Sequence, residues 1–313
     1  MKLKTILSYA GISLAGLHLI NKYTSYKASS SFSLNKYNDF TYNWSYGNIF
    51  YIKQGIGEPI LFIHDLTPGS SSYEWHSILS QSNENFTCYS LDLIGCGLSD
   101  KPNFTYTNYL FVKLITDFIH DVIKVPCTIV ASGSSSSIAL MSSLEEQSYI
   151  KNIILINPLS LEQCNHTINQ DNRNYNKIIN IPVIGTFLAN RHNKREDIED
   201  LFYNTYFNEK EKVNPKDIDA YYASYHTGKY GSKSLFSSIY NNYTQADISI
   251  ALKNTNFPIS IIGGENESDI NETIAGYQQL NPSINSFIIS DSKHLPQLEH
   301  PDELLHMIIS IIE

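Results

Sequence analysis

Four short stretches of the chain carry residue types that can catalyse a reaction when they are brought together. They are residues 64–65 (HD), 92–102 (DLIGCGLSDKP), 131–136 (ASGSSS) and 294–301 (HLPQLEHP). A serine hydroxyl becomes a nucleophile when a histidine removes its proton and a carboxylate orients that histidine. Because the stretches supply all three residue types, nucleophilic catalysis is the first chemistry to consider.

Short apolar runs precede these stretches and predict the strands that must position them. The runs are residues 48–53, 59–64, 87–93, 127–131, 152–156, 258–262 and 286–289. Several are continuously apolar, as expected for strands buried on both faces of a sheet. Helical periodicity separates them, for example from Phe111 to Val122 and from Leu304 to Ile312. Alternating strands and helices predict a mostly parallel, doubly wound α/β sheet with its ligand site at the carboxyl ends of the strands.

One long segment interrupts the alternation. Residues 159–256 contain no convincing buried strand and are polar, tyrosine-rich and mostly helical in pattern. An insertion of this kind between two sheet strands predicts a helical lid. The domain prediction is therefore a core made of residues 36–158 and 257–313, with residues 159–256 as the lid.

The four stretches, taken in this order and spacing, resemble the α/β-hydrolase superfamily over roughly residues 40 to 313. The likeness is greatest to the branch of lidded epoxide hydrolases, haloalkane dehalogenases and small esterases. It implies an α/β-hydrolase fold with a nucleophile on a sharp strand-to-helix turn, and two backbone N–H groups that stabilise the oxyanion. In the 92–102 string it implies a structural role for Asp92, with Gly95 and Gly97 shaping a loop.

The resemblance also assigns the base and the acid. His294 stands where such hydrolases carry their histidine, although Lys293 replaces the small residue that usually precedes it. Counting from Gly264, Glu267 occupies the acid position, and Asp269 is the rival if the loop is longer. If the resemblance is set aside, the plain interpretation of His294 is a loop histidine that makes hydrogen bonds. The plain interpretation of Glu267 and Asp269 is that they belong to an acidic surface loop.

The nucleophile position departs from the family pattern. Aligning the strand 127–131 with the helix that follows places Gly133 in the nucleophile slot, and glycine has no side chain with which to attack. A shift of two residues would instead make Ser135 the nucleophile. A third interpretation is that the serines cap the first turn of the helix.

The oxyanion loop departs as well. The resemblance assigns the stabilising N–H groups to Asp65, Leu66 and Ser134, but Asp65 replaces the usual glycine. Its negative charge would oppose a developing oxyanion. Departures at Gly133, Asp65 and Lys293 together indicate relaxed or redirected chemistry.

The N-terminus allows three interpretations. Lysines flank an apolar run over residues 6–20, which is shorter than the ~20 residues that a transmembrane helix needs. A membrane anchor over residues 1–28 is favoured. A secretory signal and a soluble amphipathic helix are the alternatives, and the small residues at 28–30 make only a poor cleavage site.

Composition excludes several classes of protein. The formal charge of −9 argues against a basic face that neutralises nucleic-acid phosphates. The four cysteines lack metal-site spacing, and neither G-x-G-x-x-G nor H-E-x-x-H occurs, so we expect no cofactor and no metal. The expected partner is a small-molecule ligand or substrate. The oligomeric state cannot be read from the sequence.

Three functions follow from these observations. The favoured one is a catalytically degenerate family member that binds a small ligand or partner in the lidded pocket. The alternative is an active hydrolase of a carboxylic ester or similar electrophile that uses Ser135, His294 and Glu267. A proton-transfer or lyase reaction that needs His294 alone is the third.

Overall fold

The computed structural model describes residues 3–32, 34, 39–81, 85–167, 177–228 and 231–313, and its strands form one eight-stranded sheet in the order β1-β2-β4-β3-β5-β6-β7-β8. Strand β2 is antiparallel to both of its neighbours, while the pairs from β4 to β8 are parallel. The strands are β1 Asp39–Trp44, β2 Gly47–Gly55, β3 Glu58–Ile63, β4 Phe86–Leu91, β5 Cys127–Ser132, β6 Ile150–Ile156, β7 Ile259–Gly264 and β8 Asn285–Ile289.

Helices flank the sheet and fill the longer connections. In the described part of the chain the α-helices are α1 Leu3–Ser31, α2 His76–Ser80, α3 Asn108–Phe118, α4 Ser135–Glu145, α5 Leu161–Cys164, α6 Ile184–Arg191, α7 Arg195–Leu201, α8 Pro215–His226, α9 Lys233–Tyr240, α10 Ser249–Asn254, α11 Ile270–Leu280, α12 Pro296–Glu299 and α13 Pro301–Ile312. Short 3-10 turns cover Ser72–Trp75, Gln147–Tyr149 and Lys210–Lys212, and π turns cover Ile119–Ile123 and Phe202–Tyr206.

The central strands are buried on both faces, as their continuous apolar sequences predict. In β5, Ile129 packs into the core beneath α3 and α4, whereas Val130 packs into the opposite core with Trp75 and α13. Successive side chains of a strand point to opposite faces, so a strand between two helical layers needs apolar residues throughout. This confirms the predicted α/β sheet, although the sequence analysis missed the edge strand β1.

Helix α3 shows how local sequence fixes an element. Thr107 caps its first turn, because the Thr107 side chain accepts a hydrogen bond from the Leu110 N–H. Its apolar face then enters the core through Phe111, Leu114 and Phe118. The predicted helical period extends to Val122, but the last turn is a π turn that ends at Lys124 in a left-handed conformation.

The connection between β6 and β7 is helical, as expected, and we call residues 157–258 the inserted segment. Residues 168–176 and 229–230 of the predicted lid lie outside the described residues. The inserted segment has a small core of its own, in which Phe202, Phe207 and Tyr221 pack with Leu295 from the core domain.

Helix α1 lies against the inserted segment. The Asn21 amide donates to the Val183 carbonyl at 2.9 Å, the Ser25 hydroxyl donates to the His226 carbonyl at 2.8 Å, and Ala28 is fully buried. Among the described residues, no helix combines the length and apolarity that crossing a bilayer would require. The N-terminal anchor stays a prediction, and its residues 1–2 lie outside the described part.

Candidate active site

Gly133 forms the apex of the turn between β5 and α4. Its φ of 53° lies in the left-handed region that favours glycine. A Cβ added at this position would lie 2.2 Å from Oδ1 of Asp65, which is far closer than atoms can approach. Any side chain at the apex would therefore meet both backbone strain and a direct clash with Asp65.

The structure does not support the register that would make Ser135 the nucleophile. Ser135 is fully buried in the first turn of α4, and its hydroxyl donates to the His64 carbonyl at 2.6 Å. That bond ties α4 to the end of β3 and directs the hydroxyl to a backbone oxygen instead of the His294 imidazole. Ser135 is a structural residue of the helix start.

His294 and Glu267 are brought together at the ends of β8 and β7. Nδ1 of His294 lies 3.1 Å from Oε1 of Glu267. Asp269, the rival acid, is an exposed residue at the start of α11. Asn157 aligns the two loops: its amide donates to the Lys293 and His294 carbonyls, and its oxygen accepts from the Gly264 N–H at 2.8 Å. The sequence analysis missed Asn157, because its role depends on chain segments that are distant in sequence.

The Asp65 carboxylate lies where the family resemblance would place an oxyanion. Oδ1 accepts from the Leu66 N–H at 2.7 Å and from the Ser134 N–H at 2.8 Å, and Oδ2 lies 3.4 Å from Nε2 of His294. Of the three predicted oxyanion donors, the structure aims Leu66 and Ser134 at this position. The third predicted donor, the Asp65 N–H, does not point there, because it donates instead to the Glu74 carboxylate at 3.0 Å.

Charge in the site is shared among three side chains. Burial lowers the pKa of His294, but hydrogen bonds and attraction from Asp65 and Glu267 outweigh it and raise the pKa to about 10. Burial raises the pKa of Asp65, but the bonds from His294 and Ser134 prevail, and the net shift is downward. At neutral pH His294 is therefore an imidazolium, which cannot accept a proton as a general base.

Glu74 is a second buried carboxyl group that the sequence analysis missed. It accepts from the Asp65 N–H, from the Tyr221 hydroxyl at 2.7 Å and from the Gln297 amide at 3.1 Å. Burial raises its pKa. A glutamate between aromatic residues in the stretch 72–75 (SYEW) was the available sequence signal.

The inserted segment is joined to the histidine loop. Glu299 accepts from the Lys293 N–H at 2.8 Å and from the Asn208 and Glu209 N–H groups at 2.6 and 2.7 Å. The Tyr206 ring stacks on His294 with 5.3 Å between centroids and 21° between planes. The Lys293 ammonium donates to the Asn204 carbonyl, so this departure from the family pattern also ties the histidine loop to the inserted segment.

The 92–102 string is structural. Asp92 accepts from the Ser72 and Leu98 N–H groups, both at 2.6 Å, and Gly97 has a φ of 47° with no room for a Cβ beside Asp92. Asp100 accepts from the Asn48 N–H at 2.7 Å. These bonds fix the loop after β4 and take no part in the charged site around His294.

Comparison with known proteins supports the fold described above. The chain matches the family model described as alpha/beta hydrolase fold over residues 58–301. A curated relative from Shewanella oneidensis, cis-3-alkyl-4-alkyloxetan-2-one decarboxylase, is 28% identical over 134 residues, which is 38% of this chain and 42% of the relative. The matched part is thus less than half of that protein.

Solved structures extend the likeness to most of the chain. A serine hydrolase involved in carbazole degradation has a TM-score of 0.71 at 16% identity, covering 88% of this chain and 99% of its own. An epoxide hydrolase from Vigna radiata has a TM-score of 0.68 at 16% identity, covering 90% and 99%. At such identities these structures show the fold alone. Together with the family match, they establish that the chain belongs to the α/β-hydrolase family.

Proposed function

We propose that this chain is an α/β-hydrolase-family protein that is degenerate as a serine hydrolase and binds a small molecule beneath the inserted segment, which acts as a lid. The observation that carries the proposal is the Asp65 carboxylate, which sits in the oxyanion position above Gly133.

Acyl transfer by a serine requires a nucleophile at the apex, two free N–H donors for the oxyanion and a neutral base. Gly133 offers no nucleophile. The N–H groups of Leu66 and Ser134 already bond to Asp65. The base, His294, is held as an imidazolium by its two carboxylate partners. The apex fails because residue 133 has no side chain, and the donors and the base fail largely because of Asp65, so a serine at position 133 alone would not make the site active.

A binding role is supported by the parts of the site that remain organised. Tyr206 and Tyr221 come from the inserted segment and contact His294 and Glu74 of the core domain. The His294 and Glu267 side chains keep 17% and 21% of their surface exposed, so a ligand can reach them.

The charges indicate the kind of ligand. Two carboxylates and one imidazolium leave a net negative site. Because the N–H pair is taken by Asp65, these N–H groups would not serve an anion or a carbonyl oxygen. A small neutral molecule fits a net negative site better than an anion, and the His294 imidazolium can donate a hydrogen bond to an oxygen of such a molecule. The Shewanella relative is named for an alkylated oxetan-2-one, which makes small cyclic esters the first ligands to try.

The test combines a serine-directed phosphonate probe with ligand binding. The folded full chain is treated with the probe and adducts are located by mass spectrometry, with Ser135→Ala and His294→Ala as controls. We expect no adduct on Ser135, and a rise in melting temperature with small neutral ligands such as β-butyrolactone. An adduct on Ser135 that disappears in both variants would establish the serine hydrolase alternative.

A further inference from the structure

We propose that the outward face of α1, together with a basic cleft beside it, docks on the surface of an anionic phospholipid bilayer. The helix then lies along the membrane interface, instead of crossing the bilayer as an anchor does. The proposal is independent of the ligand proposed for the charged site. Its basis is a helix whose apolar side chains point away from the protein, next to a cluster of cations.

Helix α1 has the reverse of the polarity expected for a helix on the surface of a soluble domain. Its inward side is mainly polar. Asn21 donates to the Val183 carbonyl and accepts from the Asn190 amide at 3.3 Å, and Ser25 donates to the His226 carbonyl. A surface helix normally buries an apolar stripe and turns its polar residues to water. Here hydrogen bonds attach the helix to the protein, and its apolar side chains remain available to another surface.

The outward side of α1 carries an apolar stripe. Leu19, Tyr23 and Tyr26 keep 67%, 67% and 72% of their surface exposed. Their spacing of four and then three residues places them in one row along the helix, opposite to Asn21 and Ala28. Tyrosine is favoured at membrane–water interfaces, because its ring is apolar while its hydroxyl can stay in water. The stripe therefore suits the boundary between acyl chains and headgroups.

A basic cleft of about 410 Å³ lies beside the stripe, between α1 and the region of α6 and α7 in the inserted segment. Its charged lining residues are Lys27, Arg191, Lys194, Arg195, Glu196 and Asp219. Arg195 is paired with Asp219 at 2.8 Å, which leaves three cations and one carboxylate in the cleft. In a chain of formal charge −9, such a local excess of positive charge suits the phosphates of an anionic membrane.

The stripe and the cleft form one continuous surface. Ile20, which is 50% exposed, and Lys27 line the cleft, and both lie on the side of α1 between Asn21 and the stripe. Lys22 is exposed on the other side of the stripe. Long basic side chains on both sides allow a helix to enter the headgroup region, because their ammonium groups can stay at the phosphates.

The cations favour a bilayer over a second copy of the chain. A two-fold contact brings the same patch of both copies together. It would set Lys22 and Lys27 of one copy close to the same lysines of the other, and like charges repel. An anionic bilayer accommodates the stripe and the cations at once.

Vesicle flotation of the full chain tests the proposal. Vesicles of phosphatidylcholine mixed with phosphatidylserine are compared with vesicles of phosphatidylcholine alone. The chain should float with the anionic vesicles and much less with the neutral ones. High salt should release it, because screening weakens its attraction to the surface. Failure to bind the anionic vesicles, equal binding to both kinds of vesicle, or binding that resists high salt would overturn the proposal.

Two double variants test the stripe and the cleft separately. Leu19→Gln with Tyr23→Gln removes apolar surface but keeps a good helix former at position 19, so affinity for anionic vesicles should fall by about tenfold or more. Lys27→Gln with Lys194→Gln should lower it by roughly 25-fold, since each basic residue at an anionic surface is worth roughly fivefold.

The matched controls are Tyr109→Gln on α3 and Lys253→Gln on α10, which remove an exposed ring and an exposed cation elsewhere. Both should bind anionic vesicles like the wild-type protein. The melting temperature should stay unchanged in every variant, because all of these side chains are exposed. Undiminished vesicle binding by the stripe variant would contradict the proposal. So would a wild-type dimer, measured by sedimentation, that the stripe variant converts to a monomer, since the stripe would then belong to a contact between two copies.

Discussion

The two halves of the site have diverged to different degrees. The half at the ends of β7 and β8 keeps the arrangement expected of the family, with Glu267 bonded to Nδ1 of His294. The half at the ends of β3 and β5 is rebuilt around Gly133 and Asp65. Gly133 and Asp65 depend on each other. The Asp65 carboxylate fits only above a residue without a side chain, and it fills the space that a side chain at position 133 would occupy.

The pairing of Gly133 with Asp65 is tested most strongly by placing a serine at position 133. In Gly133→Ser, left-handed strain and overlap with Asp65 should lower the free energy of unfolding by about 2–4 kcal/mol. In an Asp65→Gly background the overlap is gone, so the same change should cost about 1–3 kcal/mol less. Urea unfolding of both single variants and of the double variant measures the difference.

The double variant also tests activity. It has an apex hydroxyl, two free N–H donors and a histidine with one carboxylate fewer, so we expect the phosphonate probe to label the apex residue in this variant only. An equal cost of Gly133→Ser in both backgrounds would show that Asp65 does not stand above the apex.

The second prediction concerns the positive charge of His294, whose imidazole contacts Glu267 in one half of the site and Asp65 in the other. With a pKa of about 10, His294 should remain protonated through neutral pH. Since this value exceeds the ordinary 6.5, protonation favours the folded state: the contribution is complete below about pH 6.5 and is lost as the pH rises through about 10. Asp65→Asn should lower the His294 pKa by removing one of its two carboxylates.

Histidine NMR titration measures this pKa, with His294→Gln to assign the signal and Asp269→Asn as the matched control. A His294 signal that titrates near 6.5 in the wild-type protein would mean that the Asp65 contact does not form in solution.

The smallest effect is expected at Ser135. Its hydroxyl makes one buried bond to the His64 carbonyl, so Ser135→Ala should lower the free energy of unfolding by about 1 kcal/mol. It should leave the His294 titration unchanged, because the hydroxyl faces a backbone oxygen. A shift of the His294 pKa in this variant would place Ser135 in the charged site and reopen the serine mechanism.

Much of the architecture could be predicted from local sequence. Continuous apolar runs identified the parallel strands, and the resemblance of the stretches that follow them to the α/β-hydrolase family pointed to Gly133, Glu267 and His294. The edge strand β1 was missed, because its alternation (DFTYNW) is short and half exposed. Glu74 and Asn157 were missed for another reason: they bond to residues far away in the chain, and neither the aromatic neighbours of Glu74 nor the sequence around Asn157 indicates which groups these side chains meet.

The sequence by itself determined the order of strands and helices, the inserted segment and the absence of a nucleophile at position 133, because these depend on local periodicity and on residue type. Only the tertiary structure decided what Asp65 does. From the sequence, its charge opposed an oxyanion; in the fold, its carboxylate takes the oxyanion's place, because β3 and β5 are neighbours and end at the same edge of the sheet. A through-space contact between residues 65, 133 and 294 is set by strand pairing, and no local pattern encodes it.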